Sequence, residues 1–177
     1  MDAGRIDTLV IGGGQAGLAT GYELSRRGVE HVILERDRVA SMWRGLWDGF
    51  CVNTPNWSLS LPGRAYAGDD PDGVLPRQGI VEHLEDYAAH TQAAVREGVG
   101  VSSLQPAGDG FDLMTDEGPI AARSVVVCTG AFQQAFLPPG ADQLPDGLLR
   151  INTRDYRSPD VLPDGVVLVV GGGQSGC

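Results

Sequence analysis

Six consecutive residues, Gly12-Gly13-Gly14-Gln15-Ala16-Gly17, constrain this chain more than any other stretch. They follow a short apolar run, Ile6 to Ile11, of the kind that forms a parallel strand buried on both faces. They lead into Ala16 to Arg27, where apolar residues recur at helical spacing. Gly28 stops that helix, and Arg26 and Arg27 stand in its last turn. His31 to Leu34 reads as a second strand, with Glu35 at its carboxyl end. Strand, glycine turn, helix, strand and acid form a complete βαβ unit of the dinucleotide-binding, Rossmann-like kind.

Within that unit Gly12, Gly14 and Gly17 take G-x-G-x-x-G spacing. The first glycine permits a tight turn, the second lets a diphosphate approach the backbone, and the third lets helix and strand close together. The helix start, from Gln15 and Ala16, offers oriented N–H groups and a positive dipole to the phosphates. Glu35 is placed to accept hydrogen bonds from an adenosine ribose and to repel a 2′-phosphate, so this first site prefers FAD or NAD to NADP. The competing reading makes Glu35 a solvated charge paired with Arg36 or Arg38, an arrangement that contributes little.

The rest of the chain reads as α/β. Asp37 to Asp72 is irregular and rich in Trp, Pro and Gly, and so long a loop inside a domain is usually functional. Gln78 to Arg96 carries an amphipathic helical pattern through Ile80, Val81, Leu84, Tyr87 and Ala88. Strands are expected at 99–104, at 110–115 and 120–123 as an antiparallel pair, and at 124–128 as a buried strand. A Pro- and Gly-rich connection spans 133–147, and a last buried strand is expected at Val166–Val170. That run leads into Gly171-Gly172-Gly173-Gln174-Ser175-Gly176, a near-copy of the first glycine cluster. The expected organisation is a domain at 1–147, with a parallel sheet and a small antiparallel excursion. A linker and the first strand and glycine turn of a second dinucleotide-binding domain follow at 148–177. An apolar strand with no helix after it would be an exposed edge, so a longer natural polypeptide is expected.

Composition narrows the partners. The net charge of -10 argues against nucleic acid or an anionic membrane, whose recognition needs clustered Lys and Arg. No apolar run approaches the ~20 residues of a membrane helix. The acidic start has no basic leader, so a cytoplasmic location is expected. Cys51, Cys128 and Cys177 are far apart and form no CxxC, so neither a metal site nor a redox disulfide is encoded; Cys128 reads as a small buried hydrophobe.

Further residues carry a resemblance. The order GGGQAG, Glu35, Met42-Trp43-Arg44, Asn53-Thr54-Pro55-Asn56-Trp57, Cys128-Thr129-Gly130 and GGGQSG is similar to that of the flavin-containing monooxygenase superfamily, especially its bacterial stand-alone oxidoreductases. The resemblance covers nearly the whole chain. It implies FAD in the first site and NADP (or NAD) in the second, on Gly171, Gly173, Ser175 and Gly176. It also implies oxygenation of a small-molecule substrate by a C4a-hydroperoxyflavin.

By the same resemblance, Trp43 and Arg44 lie along the cofactor, Val101 meets the adenine edge through its backbone, and Thr129-Gly130 pass the cofactor at the end of a strand; Arg36, next to Glu35, is a further cofactor-binding candidate. Asn53 resembles the asparagine whose amide reaches the flavin, where it can donate a hydrogen bond and cannot ionise. Each has a plainer alternative. Trp43, Trp47 and Trp57 can simply cover core, and Asn53 and Asn56 can be turn residues around Thr54-Pro55. One position departs from the family: Asn152 stands where the family has a histidine, which removes any role for an imidazole. Three functions remain in view: a flavoprotein monooxygenase or related NAD(P)H oxidoreductase, an FAD-binding module without turnover, and a disulfide-reductase relative, which the missing CxxC opposes. Substrate and oligomeric state are not written in these residues.

Overall fold

The computed structural model describes residues 4–176, so Cys177 lies outside the described residues. The elements run β1 (Arg5–Ile11), α1 (Gln15–Arg26), β2 (His31–Glu35), α2 (Ser41–Arg44), α3 (Arg77–His90), β3 (Val95–Glu97), β4 (Val101–Ala107), β5 (Gly110–Thr115) and β6 (Gly118–Val127). Short 3-10 turns lie at Asn56–Leu59, Ala141–Gln143, Pro159–Val161 and Gln174–Gly176. One six-stranded sheet has the order β3-β2-β1-β6-β5-β4. The pairs β3/β2, β2/β1 and β1/β6 are parallel, and β6/β5 and β5/β4 are antiparallel. This is the expected Rossmann-like sheet with an antiparallel excursion.

Alternation along β1 and β2 divides the core. Val10 and Ile33 face one side, where Leu18 of α1 and Ile80, Val81, Leu84 and Tyr87 of α3 cover them. Leu9 and Leu34 face the other, with Val99, Leu113 and Ala122. Neighbouring residues of a strand point to opposite faces, so burial of both sets makes β1 a two-sided core strand. Each fully buried Leu, Ile or Val there contributes about 1.5–3 kcal/mol over its exposed state. Tyr87 is also fully buried; its hydroxyl donates to the Pro62 carbonyl at 2.8 Å, and burial pushes its pKa above the ordinary tyrosine value.

Four expectations need correction. The helix expected over 78–96 ends at His90. Gln92 takes a left-handed backbone, φ 51°, and Val95–Glu97 form a parallel edge strand on Ile33–Glu35. That strand is too short for a periodic signal, and a partner some 60 residues away decides it. The strand expected at 99–104 begins at Val101 and runs on to Ala107. The strands expected at 120–123 and 124–128 are one, β6. Its first half pairs antiparallel with β5 while its length from Ala121 to Val127 lies parallel to β1, so a change of partner reads in sequence as a break. Finally, Val166–Val170 form no strand. Val166 is fully exposed and Leu168 is 84% exposed, because no strand among the described residues pairs with this run. No helix among the described residues is long and apolar enough to cross a membrane.

Candidate dinucleotide site

The carboxyl ends of β1, β2 and β6 meet at one edge of the sheet and carry the glycine turn, Glu35 and Thr129-Gly130. Gly12 has φ 112°, a conformation an L side chain rarely adopts, and a Cβ there would stand 2.4 Å from the Cys128 carbonyl oxygen. A Cβ on Gly17 would stand 1.8 Å from the Gly12 oxygen. The first and third glycines are therefore demanded by the chain's own packing. Gly14 differs: its backbone is ordinary extended chain, φ -84° and ψ -173°, and a Cβ there meets nothing within 4 Å. Nothing in the protein requires glycine at 14, and the space in front of it is open. The N–H groups of Gln15, Ala16 and Gly17, the first turn of α1, find no acceptor among the described residues.

Glu35 is 7% exposed and is not a solvated charge. Its Oε2 accepts from the Gly13 N–H at 2.7 Å. Its Oε1 accepts from the Asp37 N–H at 3.0 Å and the Ser41 hydroxyl at 3.1 Å. Arg36 and Arg38 turn away, to Asp37 and Glu85 respectively. The surface-pair reading of Glu35 is thereby excluded. Gly13 and Ser41 were invisible to the G-x-G-x-x-G pattern, which leaves position 13 unspecified. A Cβ on Gly13 would lie 2.9 Å from that of Glu35, so the unbroken run of three glycines was the available signal.

The other expected residues divide. Thr129 and Gly130 follow β6 directly beneath the turn, and the Gln133 amide donates to the Thr129 carbonyl at 2.6 Å while accepting from Arg36 at 3.4 Å. Val101 opens the edge strand β4, opposite Thr115. The segment before it runs beside the end of β2, with Val99 N–H on the Glu35 carbonyl and Gly98 N–H on that of Asp37, both at 2.9 Å. Trp43 packs on the core and tilts against Phe50, ring centroids 5.9 Å apart. Trp57 is exposed. The Arg44 guanidinium is engaged by Glu85 and the Val39 carbonyl, which ties α2 to α3. Asn53 is exposed, and its amide donates to the Gln174 side chain of the second glycine cluster. Asn152 closes a turn: its side-chain oxygen accepts from the Arg154 N–H at 3.0 Å.

That second cluster repeats the shape of the first. Gly171 has φ 126°, a Cβ on Gly176 would stand 2.4 Å from the Gly171 oxygen, and a Cβ on Gly173 would meet nothing within 4 Å. Cys51 is exposed in the loop before Asn53 and Cys128 lies under the first turn beside Thr20. Among the described residues no His, Cys, Asp and Glu cluster could hold a metal ion.

Fold and turn together are those of a Rossmann-like α/β domain with a glycine-rich turn at the carboxyl edge of its parallel strands. The chain belongs to the family described as pyridine nucleotide-disulphide oxidoreductase, which it matches over residues 9–177, and its likeness is to the N-terminal region of the flavin-containing monooxygenase superfamily. It is 40% identical over 172 residues to a CzcO-like oxidoreductase of Geobacillus kaustophilus, covering 97% of this chain and 49% of that protein. It is 30% identical over 175 residues to a probable indole-3-pyruvate monooxygenase, YUCCA1, of Arabidopsis thaliana, covering 95% and 42%. A mutant flavin monooxygenase from Stenotrophomonas maltophilia superposes with TM-score 0.87 at 28% identity, over 98% of this chain and 52% of that one. The chain thus spans about half the length of the relatives it matches.

Proposed function

We propose that this chain holds FAD at the first glycine turn and supplies the opening of an NAD(P) site at the second, as part of a flavin-dependent monooxygenase. The observation that carries the reading is Gly14. The space before it lies open beside three unpaired N–H groups at the start of a 12-residue helix, which is what a bound diphosphate requires. The buried Glu35 fits an adenosine ribose in the same groove. A flavin held there would supply the redox chemistry that side chains lack.

The chain's own residues do the rest. Gln15, Ala16 and Gly17 offer donors to the diphosphate, Glu35 accepts from the ribose, and Thr129-Gly130 bring the end of β6 alongside. The Asn53 amide donates a hydrogen bond without titrating, which suits a site that has to stabilise a reactive oxygen group. Its bond to Gln174 ties this loop to the second glycine cluster. The substrate is a small molecule, and neither nucleic acid nor a membrane surface is a partner. A protein that is folded by circular dichroism yet shows no visible flavin absorbance after incubation with excess FAD would overturn the reading. Reduction of that flavin by NADPH or NADH, followed by stopped-flow absorbance, tests the monooxygenase step in a polypeptide of its relatives' length.

A further inference from the structure

The hydrogen bonds around Glu35 limit what it can still accept. A carboxylate offers about four lone-pair sites, two on each oxygen. Oε1 already accepts from two donors, the Asp37 N–H and the Ser41 hydroxyl, and Oε2 accepts from one, the Gly13 N–H. One acceptor site is left, on Oε2. The Ser41 hydroxyl is held in place by its backbone. Ala40, fully buried, takes φ 63°, a conformation that disfavours a non-glycine residue, and thereby sets Ser41 at the start of α2. The Ala40 N–H reaches back to the Gly13 carbonyl at 3.4 Å, and the Ser41 N–H is taken by Arg38 at 2.9 Å. The glycine turn and the Ala40-Ser41 corner thus grip the acid from two sides.

We propose that Ser41 is a positioning residue that restricts Glu35 to a single ribose hydroxyl, received through Oε2. The proposal rests on the first turn holding an adenine dinucleotide. A vicinal diol presented to this carboxylate has one hydroxyl bonded to it and the other left to solvent. Removing the Ser41 hydroxyl frees a site on Oε1 and lets the acid take both.

Calorimetric titration of the flavin-free protein with ADP, 2′-deoxy-ADP and 3′-deoxy-ADP tests this. In the unmodified protein one deoxy analogue should bind about tenfold more weakly than ADP, as expected for a lost bond to a charged acceptor, and the other within about twofold. In Ser41→Ala both analogues should lose affinity, so that their ratio falls toward one. Ser41→Thr, which keeps the hydroxyl, should restore the asymmetry. A merely structural role for Ser41 would change all three affinities together and leave the ratio intact. Equal losses for the two analogues in the unmodified protein would overturn the proposal without any variant, and so would a ratio untouched by Ser41→Ala. Folded protein that binds neither ADP nor FAD would overturn the dinucleotide reading itself; binding of ADP without asymmetry would remove only the Ser41 clamp.

Discussion

Residues 9–17, LVIGGGQAG, and residues 168–176, LVVGGGQSG, differ at two of nine positions, yet they lie in opposite circumstances. Their turns have the same shape, with a left-handed first glycine and a last glycine pressed on the first one's oxygen. Their strands do not. Leu9 and Val10 are fully buried, whereas Leu168 is 84% and Val169 61% exposed. The first run is flanked by β2 and β6 and followed by α1; the second pairs with no strand among the described residues. Turn geometry is therefore a short-range property that six residues can carry. A phosphate cradle is a long-range one, since it needs neighbouring strands to hold the turn and a helix to aim donors through it.

The largest expected effect tests burial. Leu9→Ala should destabilise by about 4 kcal/mol, because it opens a cavity among Leu34, Val99, Leu113 and Ala122 on one face of the sheet. Leu168→Ala should change stability by no more than about 0.5 kcal/mol, as at other exposed positions. Urea unfolding of both variants reads the difference, and equal losses would mean that the second strand is buried in solution. Next comes the contact between the last and first glycines. Gly17→Ala forces a methyl against the Gly12 oxygen within a packed core, and should cost about 3 kcal/mol. Gly176→Ala makes the corresponding contact in an exposed turn that can open, so its thermal midpoint should hardly move.

Gly14→Val separates binding from folding. The site has room for the side chain and an ordinary backbone, so stability should be kept. FAD affinity should fall by about a hundredfold or more, since the valine takes the diphosphate's space. Fluorescence titration with FAD alongside circular dichroism reads both, and a variant that binds FAD normally would move the cofactor away from this turn. The smallest effect concerns the side-chain bond that joins Asn53 to the second glycine cluster. Gln174→Ala removes the partner of Asn53 at an exposed position, and should alter stability by less than about 0.5 kcal/mol in denaturant unfolding. A larger loss would show the second cluster to be docked more firmly than its exposure indicates.

Much of this was legible beforehand, and the misses have physical causes. The βαβ unit, Gly17 and Glu35 were readable because each is tied to contacts within about 30 residues of chain, and Gly12 because its backbone conformation, φ 112°, is a local demand for glycine. The acid's surroundings were not. Gly13 and Ser41 act on Glu35 across 22 and 6 residues through hydrogen bonds, for which no spacing rule exists. β3 was hidden because three residues show no period, and only the open edge of β2 makes them a strand. Nor does any spacing rule announce that the Arg44 guanidinium is engaged by Glu85, a partner 41 residues on. The indoles part in the same way: Trp43 of α2 packs on the core, whereas Trp57, in the 3-10 turn at Asn56–Leu59, is exposed.

By itself the sequence determined where the backbone had to be glycine, where apolar runs alternate or continue, and that a carboxylate would end β2. These are consequences of sterics and solvation acting on adjacent residues. Only the tertiary structure decided that Val10 is core and Val169 is surface, that Glu35 is buried with one acceptor site to spare, and that Gly14 faces open space rather than protein. Each of those depends on which distant strand, helix or loop occupies the neighbouring volume, and close packing settles that for the whole chain at once.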